Sequence, residues 1–232
     1  MRSLAGSNGN IVVPVDEFVD DNHFAEVYEL IVGAVSKDEI VGVLSNMSIE
    51  EKLFLMQTVA GALYCIHSKS FVHRDLNLET LLLFKDYKDN YFVKLHCSDI
   101  MFSVDAEAEE ILETIDYCSP ELGAYIYAED DKEEKEEHIT EKTDIFSLGL
   151  IYHFYLAGAF PEATHLSDKL HKRKAKGKAI YPWVALNSGG ELIISSKIEN
   201  TKLVSLITDM LCVDYRKRPS ASDVLKRLRE IS

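Results

Sequence analysis

The chain has 232 residues, with 39 Asp and Glu against 25 Lys and Arg, a formal net charge of −14. Hydrophobic residues make up 47%, which is ordinary for a globular protein and too many for a disordered one. The acidic balance argues against a reader of nucleic-acid phosphates and against a peripheral protein on anionic membranes, since both need a cationic face.

The acidity is local. Residues 104–137 hold 14 acids and only Lys132 and Lys135, a net of −12, so the other 198 residues carry a net of −2. Length alone allows one large domain or two small ones. After Met1-Arg2 the chain continues Ser-Leu-Ala-Gly-Ser-Asn-Gly-Asn, which lacks the apolar core of a secretory signal. Cys65, Cys97, Cys118 and Cys212 are widely spaced, with no CxxC pair. That pattern predicts reduced thiols and a cytoplasmic location.

In chain order, residues 10–18 and 24–31 read as two strands joined by an Asp20-Asp21-Asn22 turn, with Pro14 pointing to an edge position. Ser48-Ile49-Glu50-Glu51 is a capping box, opening a helix with Leu53, Met56, Ala60 and Leu63 on one buried face. Residues 81–84 and 91–96 resemble a hairpin across 85–90. The uncharged stretch 145–161 is short for a membrane span and predicts a buried helix from 141 to about Gly158. Helical segments at 202–211 and 222–230 close the chain. The coarse result is one mostly α domain with strands near its start.

Several short motifs add chemistry. His73-Arg74-Asp75-Leu76-Asn77 follows a helix and precedes a hairpin. Val93-Lys94-Leu95-His96-Cys97-Ser98-Asp99, Thr114-Ile115-Asp116-Tyr117-Cys118-Ser119-Pro120-Glu121, Thr143-Asp144-Ile145-Phe146-Ser147-Leu148-Gly149 and Asp214-Tyr215-Arg216-Lys217-Arg218-Pro219 come after it in that order. Together they resemble the eukaryotic protein kinase superfamily, of the serine/threonine type, from catalytic loop to late arginine motif. The resemblance implies an α+β, mainly α fold: essentially the helical large lobe, with a remnant of the small-lobe sheet and hinge. On that alignment residues 1–33 are the small-lobe remnant, with the hinge near 29–33. Residues 34–232 are the large lobe, with an acidic insertion near 128–138.

The resemblance also assigns roles. Asp75 would be the catalytic-loop aspartate, flanked by His73 and Arg74. Asp144 would accept from the backbone at His73 and Arg74. Glu121 and Arg218 would form a buried ion pair, and a buried charge stripped of its partner costs about 3–5 kcal/mol. Thr114 would join the activation segment to Asp75 and favours the serine/threonine branch.

Other positions depart from the family. The eleven glycines include no GxGxxG, and the first lysine is Lys37, beyond the hinge, so no residue stands at the phosphate-binding strand lysine. Asn77 replaces a lysine, Thr80 an asparagine that holds magnesium, and Cys97 the metal-holding aspartate. Asp99 could take that last place if the strand register slips by two. Leu82 falls at the floor of the nucleotide cleft.

Phosphoryl transfer rests on positioning and charge neutralisation, so these joint losses point to a catalytically inactive pseudokinase acting as a binding or scaffolding module. The alternative is a divergent serine/threonine kinase using ATP and magnesium, with its missing lobe supplied by another chain or a longer precursor. A protein partner or self-association is expected, because a bared cleft floor around Leu82 exposes apolar surface. The acidic insertion reads either as a solvated loop or as a docking face for a basic partner. Residues 168–178, with six bases and one acid, offer it a possible counterpart.

Overall fold

Two capped helices follow one another directly, Lys37–Asn46 (α1) and Ile49–His67 (α2). Between them, the Ser48 hydroxyl accepts from Glu51 N at 3.1 Å while Glu51 Oε2 accepts from Ser48 N at 2.7 Å, closing the capping box. The helix face formed by Leu53, Met56, Ala60 and Leu63 is buried, together with Leu55, Val59, Ala62 and Ile66. The structure is a computed structural model describing residues 4, 6–20, 23–97, 112–127 and 139–231. The acidic insertion at 128–138 lies outside them.

Around α2 the chain lays down Leu81–Lys85 (β4) and Tyr91–His96 (β5), an antiparallel hairpin in which Leu81 faces Leu95 and Lys85 faces Tyr91. The N-terminal strands differ from expectation. Residues 10–18 form two separate pieces, Ile11–Val12 (β1) and Asp16–Asp20 (β2), with Pro14 between them. Proline has no amide hydrogen to give a ladder, so the strand breaks there. β1 joins the edge of the main sheet, parallel to β5, in the order β1-β5-β4. β2 pairs only with His23–Val27 (β3), a strand that ends short of residue 31.

The second half is helical: Pro120–Ile126 (α3), Glu141–Ala157 (α4), Asp168–Ala175 (α5), Pro182–Asn187 (α6), Thr201–Met210 (α7) and Ala221–Arg229 (α8). A two-stranded sheet of Glu162–Thr164 (β6) and Glu191–Ile193 (β7) completes the described elements. Every residue of α4 from Thr143 to His153 is buried, as its uncharged run predicts for a helix packed on all sides. Thr140 caps its start by accepting from Lys142 N, and Gly158 ends it at φ +75°, a left-handed turn that glycine adopts without strain. The α2, α4, α7 and α8 side chains share one apolar core, into which the Tyr152 hydroxyl donates to the Met56 carbonyl at 2.6 Å.

These elements make an α+β, mainly α fold with a reduced sheet. No helix among the described residues is long and apolar enough to cross a membrane. Exposed apolar surface is not where it was expected. Leu82 is half-buried on β4, whereas Val15, Phe18, Val19, Val27, Leu30 and Val32 are exposed. The β2–β3 hairpin and the segment after it thus carry bare apolar surface, while the 34–35 segment pairs with β4 through the Ala34–Phe84 bridge and a Val35 N to Leu83 O bond of 2.7 Å.

Leu63 touches no solvent and sits mid-core on α2. Leu63→Ala is expected to lower unfolding stability by about 2–5 kcal/mol, read as a lower urea midpoint at unchanged slope.

Candidate active site

The loop between α2 and β4 is shaped by one acid from α4. Asp144 is fully buried in that helix's first turn. Its Oδ2 accepts from His73 N and its Oδ1 from Arg74 N, both at 2.7 Å. Arg74 has φ +65°, a left-handed backbone that costs a side-chain-bearing residue about 1–3 kcal/mol. Two charge-assisted bonds to consecutive amides hold it there. His67, the last residue of α2, brings Nε2 to 2.8 Å from Asp144 Oδ2. His73 Nε2 lies 2.9 Å from the His96 carbonyl, tying the loop to the end of β5. Burial pushes the His73 pKa down, against the opposing pull of Asp144 and Asp75.

Beyond Arg74 the loop closes on itself. Asn77 Oδ1 accepts from Glu79 N at 2.7 Å and Thr80 N at 3.0 Å. Its amide nitrogen donates to the Asp75 carbonyl and to Asp75 Oδ1, each at 3.1 Å. The Thr80 hydroxyl accepts from Asn77 N at 3.1 Å and lies 3.2 Å and 3.1 Å from the carbonyls of Asp75 and Asn77. Both side chains are buried, so their polar atoms serve the loop's own backbone.

Cys97 follows β5 and is wholly buried. Burial, with the Asp144 carboxylate adding, pushes its thiol up to about 12, so it is neutral near pH 7. Magnesium takes hard oxygen donors in octahedral geometry, and a buried neutral thiol supplies none. The described residues at the positions the resemblance gives to the metal, Thr80 and Cys97, therefore do not fit it. Among the described residues no group of three or more His, Cys, Asp and Glu is placed to hold a metal ion. Asp99, which the slipped register invokes, lies outside the described residues, as does the Thr114 side chain. Leu82 stands opposite Lys94, which pairs with Glu29 from the segment after β3 at 2.5 Å.

A second anchor lies on the far side of α4. Arg218 is buried, and all five of its N–H donors are engaged. Nη1 donates to Glu121 Oε1 at 2.6 Å and the Lys142 carbonyl at 2.9 Å, Nη2 to Glu121 Oε2 at 2.8 Å and the Val213 carbonyl at 3.3 Å, and Nε to the Cys212 carbonyl at 2.7 Å. The guanidinium also lies over the Phe146 ring, 5.0 Å from its centre. This bidentate pair ties α3 to the 3₁₀ turn Tyr215–Lys217, and Ser147 Oγ bonds the Tyr117 carbonyl at 2.8 Å to hold the segment before α3.

The structure thus brings Asp144 onto His73 and Arg74, and Glu121 onto Arg218. It adds residues that motif reading did not single out: His67 on Asp144, His96 on His73, and Thr143, whose hydroxyl donates to Glu121 Oε1 at 3.0 Å. Thr143 stood within a quoted motif, but nothing in its spacing named a partner. His67 carried only the weak signal of a basic residue in a helix's last turn.

The model of the protein kinase domain matches residues 1–228, and the chain belongs to that family. A calcium and calcium/calmodulin-dependent serine/threonine-protein kinase of Lilium longiflorum is 27% identical over 224 residues, 94% of this chain and 38% of that protein. The ovarian-specific serine/threonine-protein kinase Lok of Drosophila melanogaster is 28% identical over 187 residues, 79% of this chain and 36% of its own length. Ribosomal protein S6 kinase alpha-1 of Mus musculus is 28% identical over 229 residues, 95% of this chain and 28% of that protein. The chain therefore spans well under half the length of these relatives.

Arg218→Met, which strands the Glu121 carboxylate in the interior, is expected to cost about 3–5 kcal/mol, and adding Glu121→Gln should recover part of that loss in urea unfolding. Acid should also weaken the fold. His73, His96 and His153 are all held below the ordinary histidine value, mainly by burial. The unfolded chain then binds protons first, near pH 6.5, so this stability is complete above about 6.5 and is lost as pH falls towards the folded values. The thermal midpoint should drop steadily between about pH 7 and pH 5; a flat profile would contradict the assignment.

Proposed function

We propose that this chain is a catalytically inactive member of the protein kinase family that works as a binding or scaffolding module. The observation that carries the reading is the state of three positions at the reacting centre. Asn77 and Thr80 are consumed by the loop, and Cys97 presents a buried neutral thiol where the family resemblance calls for a carboxylate. In support, the only Lys or Arg before Lys37 is Arg2, so residues 1–36 hold no lysine of the kind the family places on the nucleotide phosphates. Asp75 is retained, but a base without a positioned phosphate gains little. Asp75 then acts as part of the loop's hydrogen-bond lattice through Asn77. On this reading residues 1–33 form a small-lobe remnant and residues 34–232 a large lobe, and a protein partner is what the module serves.

A second reading has its own support. The lily, fly and mouse relatives are named as serine/threonine kinases, and the catalytic loop keeps its His73-Arg74-Asp75 backbone under Asp144. A divergent kinase of that type would use ATP and magnesium, with Asp99 in place of Cys97 and a completing lobe from elsewhere.

Thermal melting with ATP, with and without magnesium, separates the two. Ligand at about 100 times Kd would stabilise the fold by about 2.7 kcal/mol. The expected outcome is no shift at millimolar nucleotide and no phosphotransfer. Phosphotransfer abolished by Asp75→Asn would establish the enzyme instead.

A further inference from the structure

The strongest concentration of positive charge in the chain lies on α5 and the turn that follows it. Residues 168–178 hold six Lys and Arg against the single acid Asp168. Leu170 anchors the helix, buried with Leu166 and Ala185, while residues 171–179 are exposed without a break.

Folding leaves most of this charge unanswered. Lys172, Arg173 and Lys174 fall in the last turn, where cations suit the negative end of a helix. Lys174 also reaches Glu162 at 3.6 Å, but a pair of exposed side chains contributes little. Lys169, Lys172, Lys176 and Lys178 make no ion pair among the described residues. Lys169 stands three positions before Lys172 and four before Arg173, spacings at which like charges repel on a helix. Arg173 is oriented from within: its Nε donates to the Ala179 carbonyl at 3.1 Å. Its two terminal nitrogens donate to nothing among the described residues.

We propose that this face of α5, continued to Lys178, is a docking surface for an Asp- and Glu-rich segment of a partner protein. Arg173 presents the two parallel donors that match a carboxylate, and the lysines around it add point charges. A row of carboxylates also relieves the repulsion between Lys169 and its neighbours. Other anionic partners fit less well. A helix of eight residues is about 12 Å long, whereas even a single nucleic-acid-binding module covers about 600–1,000 Å². Tyr127 stacks on Trp183, five residues past Lys178, and chain length keeps the acids at 129–131 within about 14 Å of Tyr127. A polyanion longer than α5 meets that repulsion, and a short acidic segment does not. A membrane finds no apolar row on α5, because Leu170 is turned inward.

The inference rests on the binding-module reading and names the partner's chemistry. Its test uses no nucleotide, so phosphotransfer would end that reading alone and an unbound peptide this proposal alone. The probe is a labelled ten-residue peptide of alternating glutamate and serine, compared with its lysine–serine counterpart and a short DNA duplex. Binding is followed by fluorescence anisotropy and by amide hydrogen exchange on the whole chain. The expected result is saturable binding of the glutamate peptide, weakened by salt, with new protection confined to residues 168–181. Lys169→Glu with Lys172→Glu, both at exposed positions, should weaken it about tenfold with the thermal midpoint unchanged. Arg173→Lys, which keeps the charge and loses the fork, should weaken it by a smaller factor. No saturable binding, equal binding of the duplex, protection elsewhere or indifference to the charge reversal would overturn the proposal. So would binding that appears only after the acids at 129–137 are changed to amides, which assigns the face to the chain's own segment. A dimer in sedimentation that the charge reversal disperses would assign it to a second copy instead.

Discussion

A single carboxylate withdrawn from water organises the centre of this protein. Asp144 reaches the loop only because α4 begins where it does, and its two oxygens are divided between the amides of His73 and Arg74. The left-handed turn at Arg74 persists because those bonds outweigh its strain. An isolated buried carboxylate would be costly, and here consecutive amides, the His67 ring and the positive end of α4 together replace its water. The loop's path, and hence the placement of Asp75, Asn77 and Thr80, follows from this one acceptor.

The same helix serves a second buried charge. Glu121 and Arg218 sit on its other flank, with Lys142 and Thr143 contributing a carbonyl and a hydroxyl. Charges of opposite sign from distant parts of the chain are each resolved against the start of α4. In this chain the buried scaffold is built from bonds separate from those at Asn77, Thr80 and Cys97. The bonds that shape the catalytic loop need no magnesium and no nucleotide, so Asn77, Thr80 and Cys97 can change while the backbone stays in place. Asn77 and Thr80 are held by hydrogen bonds within the loop, and Cys97 is a buried neutral thiol. A polar atom shut away from water must be satisfied by something, and the loop satisfies its own.

Charge looks different once it is located. The net of −14 is dominated by residues 104–137, whereas the described hairpin carries a smaller acidic group on a bare apolar surface.

Much of this was legible in the residues. The capping box at Ser48, the face of Leu53, Met56, Ala60 and Leu63, the 81–96 hairpin and the buried helix ending near Gly158 depend on local bonds and on periodic burial, both written in neighbouring positions. The ordered motifs pointed to the family for the same reason, since each is a short run. Less legible was the split of residues 10–18, where Pro14 forecast an edge but not that the two halves join different sheets. Leu82 was expected to be bare and is half-buried, on a strand whose edge is paired by the 34–35 segment, which no local pattern announces. By itself, then, the sequence determined where α2, α4 and α8 begin, which face of α2 turns inward and that the loop departs from the family at Asn77, Thr80 and Cys97. Only the tertiary structure decided that Asp144 serves two amides and an imidazole at once, that Arg218 spends every donor, and that the hairpin stands uncovered. The first two outcomes depend on groups seventy or more positions apart meeting in space, and distance along a chain carries no information about that.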